Sequence, residues 1–433
     1  MNYKLTKPVC NTVNIVCNFN TIHSDIQTPS QIMKKHLLAI AVLSSLWAMP
    51  HGLLAQEGGP ELKLRKITQG DYELQIIDNS TTFSQGLAIN AGGSIIGQRE
   101  VANADMTIFS NEYFFCDSKQ MSIVPPVEGY TNVEVQALSD SNLAVGFATR
   151  PIGNPDGGVI AIVWDTATGK TTKLPRPVET VATHAQDVSA DGRRVTGYAT
   201  GEGRLLPCVW TWEPETKTWN PKILPTMHEY NPYVMASRVI ISPNGKLIAA
   251  CCTFDLSQGV IDSSLFLWRE VDGKWERELL NDEQLHLRDI NDSGMIAGSI
   301  NTRLGLRQPR VVGVDGQLQE VKLLPGDESG EMWGINAEGI VVGFSDDPRG
   351  ADGGPQAIMW KDGKTTAINL GEGVYSLASG INDEGYITGL VEVPPASSDA
   401  TGEAGDEEAA PVTLAFRSLT KLTAQPIGNS AEE

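Results

Sequence analysis

Three histidines (His184, His228, His286), two glutamates (Glu134, Glu331) and four aromatic residues (Tyr130, Tyr230, Tyr233, Trp333) stand in or just ahead of successive copies of one short phrase. Imidazoles, carboxylates and flat rings brought to one place can hold a sugar, a peptide or a metal ion. Their spacing supplies no catalytic set: the chain has no GxSxG elbow, no HExxH pair and no glycine-rich phosphate loop. No two histidines have a close ligand spacing, so neither a metal nor another cofactor is expected.

The phrase is what must position these residues. Its first copy runs from Ile89-Asn90 to Gly97, and others begin at Leu138, Val188, Ile241, Ile290, Ile335 and Ile381, at intervals of 45 to 53 residues. A period of that length belongs to propeller blades and related repeats. Unit six shows the grammar. Met332 to Asn336 is an extended run, Ala337-Glu338-Gly339 a turn with glycine where a positive φ is wanted, and Ile340 to Phe344 a second, β-branched run. Gln356 to Trp360 and Thr365 to Leu370 follow as third and fourth runs around a turn at Asp362-Gly363. Proline closes several units (Pro175, Pro225, Pro325), as suits the end of a strand. The fold expected is all-β, a seven-bladed β-propeller of four antiparallel strands per blade. Ring closure needs a strand from one terminus to complete the blade at the other, and Tyr72 to Ile77 is the candidate, with Lys421 to Thr423 as its competitor.

On Gly334-Ile335-Asn336 and Gly380-Ile381-Asn382 the chain resembles the HAF-repeat family of bacterial extracellular proteins, whose units read GIN-x-x-G-x-x-V-G before a His-Ala-Phe-Leu-Trp-like strand. The resemblance spans roughly residues 85 to 417. It departs in the second half of each unit, where Ala357-Ile358-Met359-Trp360 and Leu414-Ala415-Phe416-Arg417 stand in place of His-Ala-Phe. It implies a propeller and no catalytic set.

Ahead of the repeats, Met33-Lys34-Lys35, the apolar run Leu37 to Trp47 and the small residue Ala55 read as a secretory signal peptide over 33–55. Residues 1–32 read as a non-translated or unstructured extension, 56–71 as a linker, 72–424 as the propeller, 394–411 as an acidic disordered insertion and 425–433 as a disordered tail. Residues 1–55 hold four bases (Lys4, Lys7, Lys34, Lys35) and one acid (Asp25), so their removal takes the formal charge from −20 to −23. Such a surface repels phosphate backbones, which argues against a nucleic-acid partner. No second apolar stretch is long enough to span a membrane. Cys116, Cys208, Cys251 and Cys252 remain, three of them in strand-like runs where free cysteine packs as a small hydrophobe. A disulfide from Cys208 to Cys251 or Cys252 is the alternative.

Strand direction alternates within a blade, so turns between strands two and three share a face with the connections from strand four to the next blade. The long insertions 151–158, 345–355 and 393–411 all fall on that face. So do the connections that carry His184, His228 and His286. Four residues before the seven phrases stand Gln85, Glu134, His184, Ser237, His286, Glu331 and Leu377, at the mouth of the expected central channel. The expectation is a secreted or periplasmic monomer that binds or scaffolds a glycan, a peptide or an envelope protein at this mouth. The alternative is a hydrolase or lyase acting on extracellular polysaccharide or peptide from the same place.

Overall fold

The computed structural model describes residues 63–78, 83–102, 109–118, 120–151, 158–201, 203–225, 234–255, 261–349, 354–394 and 411–422. These residues form seven blades, each a four-stranded antiparallel sheet, arranged in a ring. The innermost strands are Ser84–Ile89, Asn132–Leu138, Ala182–Val188, Val234–Ile241, His286–Ile290, Ser329–Ile335 and Ser376–Ile381. Each contacts the next, and the seventh contacts the first, around a closed circle.

Closure works as the sequence suggests. Tyr72–Asp78 pairs antiparallel with Val412–Ser418 and becomes the fourth strand of blade seven. Its Leu74, Ile76 and Ile77 are fully buried, each side chain contributing roughly 1.5–3 kcal/mol. Arg417 of blade seven donates to the Gly93 and Asp117 carbonyls of blade one at 2.6 and 3.2 Å, and also to Gln75. One boundary differs from the reading of the sequence. Lys63–Gln69, within the expected linker, pairs along its whole length with Tyr72–Asp78 as a fifth strand. Its alternation is too polar to announce a strand, because an outermost strand has only one neighbour to satisfy. Among the described residues Cys116, Cys208, Cys251 and Cys252 are free and buried.

The asparagine of the phrase ties blade to blade. Asn291, Asn336 and Asn382 each accept through Oδ1 the amide four residues on (Met295, Ile340, Tyr386; 2.9–3.1 Å), closing their own hairpin. Through Nδ2 each donates to the next copy: Asn291 to the Asn336 carbonyl, Asn336 to that of Asn382, and Asn382 to that of Asn90. Asn90 continues the belt to the Ser139 carbonyl at 3.1 Å. Blades two to four carry Ser139, Ser189 and Ser242 here, which close the hairpin through Oγ but lack an amide donor. Backbone bonds from Asp140 to Ala190 and from Ala190 to Pro243 replace it, and the Asn244 amide reaches Asp292. The strand-three tryptophans are buried between blades, and Trp210 and Trp268 donate to the carbonyls of Pro175 and Pro225 that close the preceding blades.

The second glycine of the phrase sets the inner strand. In six blades one residue is looped out of the inner pair, just after the residue opposite this glycine (Gly97, Gly146, Gly197, Gly298, Gly343, Gly389). A Cβ on Gly343 would lie 2.0 Å from the Glu331 carbonyl oxygen, and one on Gly197 would lie 1.8 Å from that of His184. Blade four has Cys252 in this register, and there two residues, Ser237 and Arg238, stand opposite Cys251. Gly343→Ala is therefore expected to cost about 1–3 kcal/mol in urea unfolding, through overpacking. Gly92→Ala, in an exposed turn, should stay within about 0.5 kcal/mol of the parent. Equal effects at the two positions would contradict this account of the bulge.

Candidate functional site

The inner strands of blades five and six, with the second strand of blade five and the start of its third, bring His286, Glu331 and Trp333 together with three partners that the sequence reading passed over: Arg288, Ser299 and Arg307. Glu331, the third residue of its strand, is 0 % exposed. Arg288 grips it with two parallel bonds, Nε to Oε1 at 3.0 Å and Nη2 to Oε2 at 2.9 Å. Arg307 donates Nη1 to Oε2 at 2.5 Å, the Ser299 hydroxyl donates to Oε1 at 3.0 Å, and the Trp333 indole N–H donates to Oε2 at 2.9 Å. The two guanidiniums hold the Glu331 carboxyl down at about 2, against the opposing effect of burial.

Trp333 is not a free platform. The Arg288 guanidinium lies 4.6 Å from its ring centroid and Phe344 meets it edge-on at 6.2 Å. Arg288 and Arg307 keep 21 % and 23 % of their side-chain surface exposed. His286 sits beside them, its imidazole shifted below the usual histidine range by burial and by Arg307.

The other expected residues go elsewhere. His184 is sandwiched between blades two and three, 4.6 Å from the Phe147 ring and stacked on Tyr198 at 4.5 Å. Burial drives its pKa down to about 4, which makes it a neutral packing residue. It does not join His286. Glu134 faces blade one, where it accepts from the Tyr113 hydroxyl (3.3 Å), and also accepts from Asn132 (3.2 Å). Tyr130 is buried with Val127, Ala148 and Ile162, with Arg150 and Lys173 each 4.9 Å from its ring centroid. His228, Tyr230 and Tyr233 lie outside the described residues, as do most of the three long insertions.

A second, electrostatically coupled set stands on the inner strands: Asp187 on blade three, Arg238 on blade four and Asp289 on blade five. Asp187 accepts the Val188 and Ile241 amides and Asp289 those of Ile290 and Ile335, all at 2.8–2.9 Å, so each carboxylate links its inner strand to the next. Burial, and for Asp187 the nearby Asp289, pushes them up to about 7 and about 6. Arg238 is enclosed by the protein yet keeps some surface open, and its Nε has no partner among the described residues. The advance signal for this set was charge one residue before the phrase at Asp187 and Asp289 and three before it at Arg238. Among the described residues no group of three His, Cys, Asp or Glu side chains is placed to hold a metal ion.

No protein-family profile matches the chain, and a comparison with curated proteins gives no match. Among solved structures the chain is similar to an oligogalacturonate lyase in complex with manganese, at 10 % identity over 86 % of this chain and 99 % of that one, with a TM-score of 0.50. It is also similar to the β-propeller domain of the trilobed protease from Pyrococcus furiosus (12 % identity, 78 % and 96 %, TM-score 0.48). A Mycobacterium tuberculosis puromycin-hydrolyzing peptidase gives 12 % identity, 79 % and 53 %, and a TM-score of 0.48. At these identities the likeness shows the propeller fold alone.

Two outcomes follow from the electrostatics. Glu331→Gln strands two arginines and should cost about 3–5 kcal/mol at neutral pH. Because its folded pKa is depressed, the stabilisation by Glu331 is fully present above about 4.5 and is lost as pH falls toward about 2, so parent and variant should converge there in urea unfolding. His184 has the opposite proton bookkeeping to a paired histidine. Between about 6.5 and about 4 the unfolded chain takes up a proton that the folded chain refuses, so folding weakens as pH falls through that window. His184→Phe should remove a slope of up to about 1.4 kcal/mol per pH unit, and an unchanged slope would contradict the burial of a neutral imidazole.

Proposed function

We propose that this chain is a secreted or periplasmic propeller that acts as a binding or scaffolding module, receiving a glycan, peptide or envelope protein at the channel mouth beside blades five and six. The observation that carries the reading is the buried Glu331 carboxylate, which fixes Arg288, Arg307 and Trp333 while leaving part of both guanidiniums open to solvent. A group buried at that cost holds its partners in one geometry, and preorganised polar groups at a concave mouth are what recognition requires. The leader-like segment at 33–55 and the HAF-like phrases support a place outside the cytoplasm.

A hydrolase or lyase is the second reading, favoured by one observation. Asp187 and Asp289 interact across the inner strands, and burial pushes their carboxyls up to about 7 and about 6, a condition suited to proton transfer. Their commitment to four backbone amides weighs on the side of a structural role.

The test is a thermal-shift screen of glycans and peptides against the purified chain, followed by turnover assays on each hit. A ligand at about 100 times its dissociation constant adds roughly 2.7 kcal/mol. Hits are expected to vanish with His286→Ala while the unliganded melting point holds. Binding unaffected by that substitution would move the site away from this mouth and overturn the reading. Turnover lost with Asp187→Asn or Asp289→Asn would favour the enzyme.

A further inference from the structure

Glu134 and Glu331 occupy the same position of the repeat, each the third residue of an inner strand and four residues before its phrase. Their surroundings differ in charge. Glu331 is held by two guanidiniums, a hydroxyl and an indole N–H at 2.5–3.0 Å. Glu134 has two neutral donors instead, the Asn132 side-chain amide on Oε1 at 3.2 Å and the Tyr113 hydroxyl on Oε2 at 3.3 Å. Both oxygens act as acceptors, the pattern of a carboxylate, and among the described residues no basic group pairs with them.

Blade one explains the difference. Two residues before its phrase it carries Leu87, where blade five carries Arg288. In its third strand Asn111 stands opposite Glu100, the place that Arg307 takes opposite Asn301 in blade five. Three bases of blades one and two are engaged elsewhere: Arg99 is bonded to Glu112 at 2.6 Å, and Arg150 and Lys173 each lie 4.9 Å from the Tyr130 ring centroid. Glu134 nevertheless keeps part of its surface open. Phe147, directly opposite it in the strand pair, is open in part as well, and the ring against Phe147, His184 at 4.6 Å, is neutral at physiological pH.

We propose that Glu134 is a subsite for an organic cation, in which an ammonium or guanidinium group of a ligand takes the place that Arg288 and Arg307 fill at Glu331. A charge-assisted bond to a carboxylate is roughly twice as strong as a neutral one, and a partly desolvated carboxylate gains most from a cation that arrives with the ligand. An aromatic side chain directly across the strand pair suits the alkyl stem or the face of that cation. One carboxylate with two neutral neighbours gives too few oxygens for magnesium or calcium, which selects the organic cation. The subsite belongs to blades one and two and does not rest on the function proposed for the Glu331 cluster.

The experiment is calorimetric titration of the purified chain at low ionic strength with N-acetyl-lysine amide, N-acetyl-arginine amide and methyl glucosaminide, with N-acetyl-norleucine amide and magnesium chloride as controls. At least one of the three organic cations is expected to bind with a dissociation constant of about 1 mM or tighter, the controls not to bind, and Glu134→Gln to weaken binding at least about tenfold. Preference for the amino-acid probes identifies a basic peptide as the source of the cation, and preference for the glucosaminide an amino sugar. Glu338→Gln removes one charge from an exposed hairpin on the opposite face and should bind the probes as the parent does. Glu134→Gln should melt within about 2 °C of the parent, because it strands no buried cation. A melting point several degrees lower would mark Glu134 as structural and overturn the subsite. So would equal binding by parent and Glu134→Gln, equal losses in Glu134→Gln and Glu338→Gln, or magnesium binding as tight as the organic cations. No binding of any of the three at about 50 mM, a concentration that saturates a millimolar site, would overturn it as well.

Discussion

A single side-chain amide, spending one end on its own hairpin and the other on its neighbour, is the interaction on which this ring depends. Asn291, Asn336, Asn382 and Asn90 each close a turn through Oδ1 and reach the next blade through Nδ2, so local and global order are made by the same residue. Serine closes a hairpin equally well but has no second donor. That is why blades two to four pass the link to backbone amides and to Asp292. The substitution looks like simple drift in the sequence and is a change of linkage in the structure.

Close behind it comes the constraint imposed by the second glycine. The inner strands must bulge to stay close to their neighbours around a tight circle, and the bulge brings a carbonyl oxygen to where a Cβ would stand. The glycine thus determines where the channel residues sit, although it lies on the adjacent strand. Blade four has no glycine there, and its bulge, also of one residue, leaves Ser237 and Arg238 opposite Cys251.

The polar interior follows from these two rules. Three residues four before the phrase take unlike partners: Glu134 has Tyr113 of blade one, His184 has Phe147 of blade two and Tyr198 of its own blade, and Glu331 has Arg288 and Arg307 of blade five. Chemical type therefore says little about role at this position. A histidine there is a neutral packed ring in blade three and the edge of an arginine cluster in blade five. In that cluster a fully buried carboxylate holds two guanidiniums that still meet solvent.

The sequence by itself determined the number of blades, the strand order within each and the strand that closes the ring. Those properties rest on local periodicity, turn chemistry and the count of repeats, which neighbouring residues encode. It also picked out Glu331, Trp333 and His286, because polar and aromatic residues at a repeating position are visible without coordinates. Only the tertiary structure decided that His184 and Tyr130 pack elsewhere and that Lys63–Gln69 adds a fifth strand. Only it revealed that Arg288 and Arg307 of blade five share the buried carboxylate of Glu331 on blade six. Arg288, Arg307 and Glu331 stand 19 and 24 residues apart in turn, and nothing in the spacing of one repeat states how far its neighbour is turned about the ring. Charge pairing across blades is a property of that rotation, and it comes into being only when the circle closes.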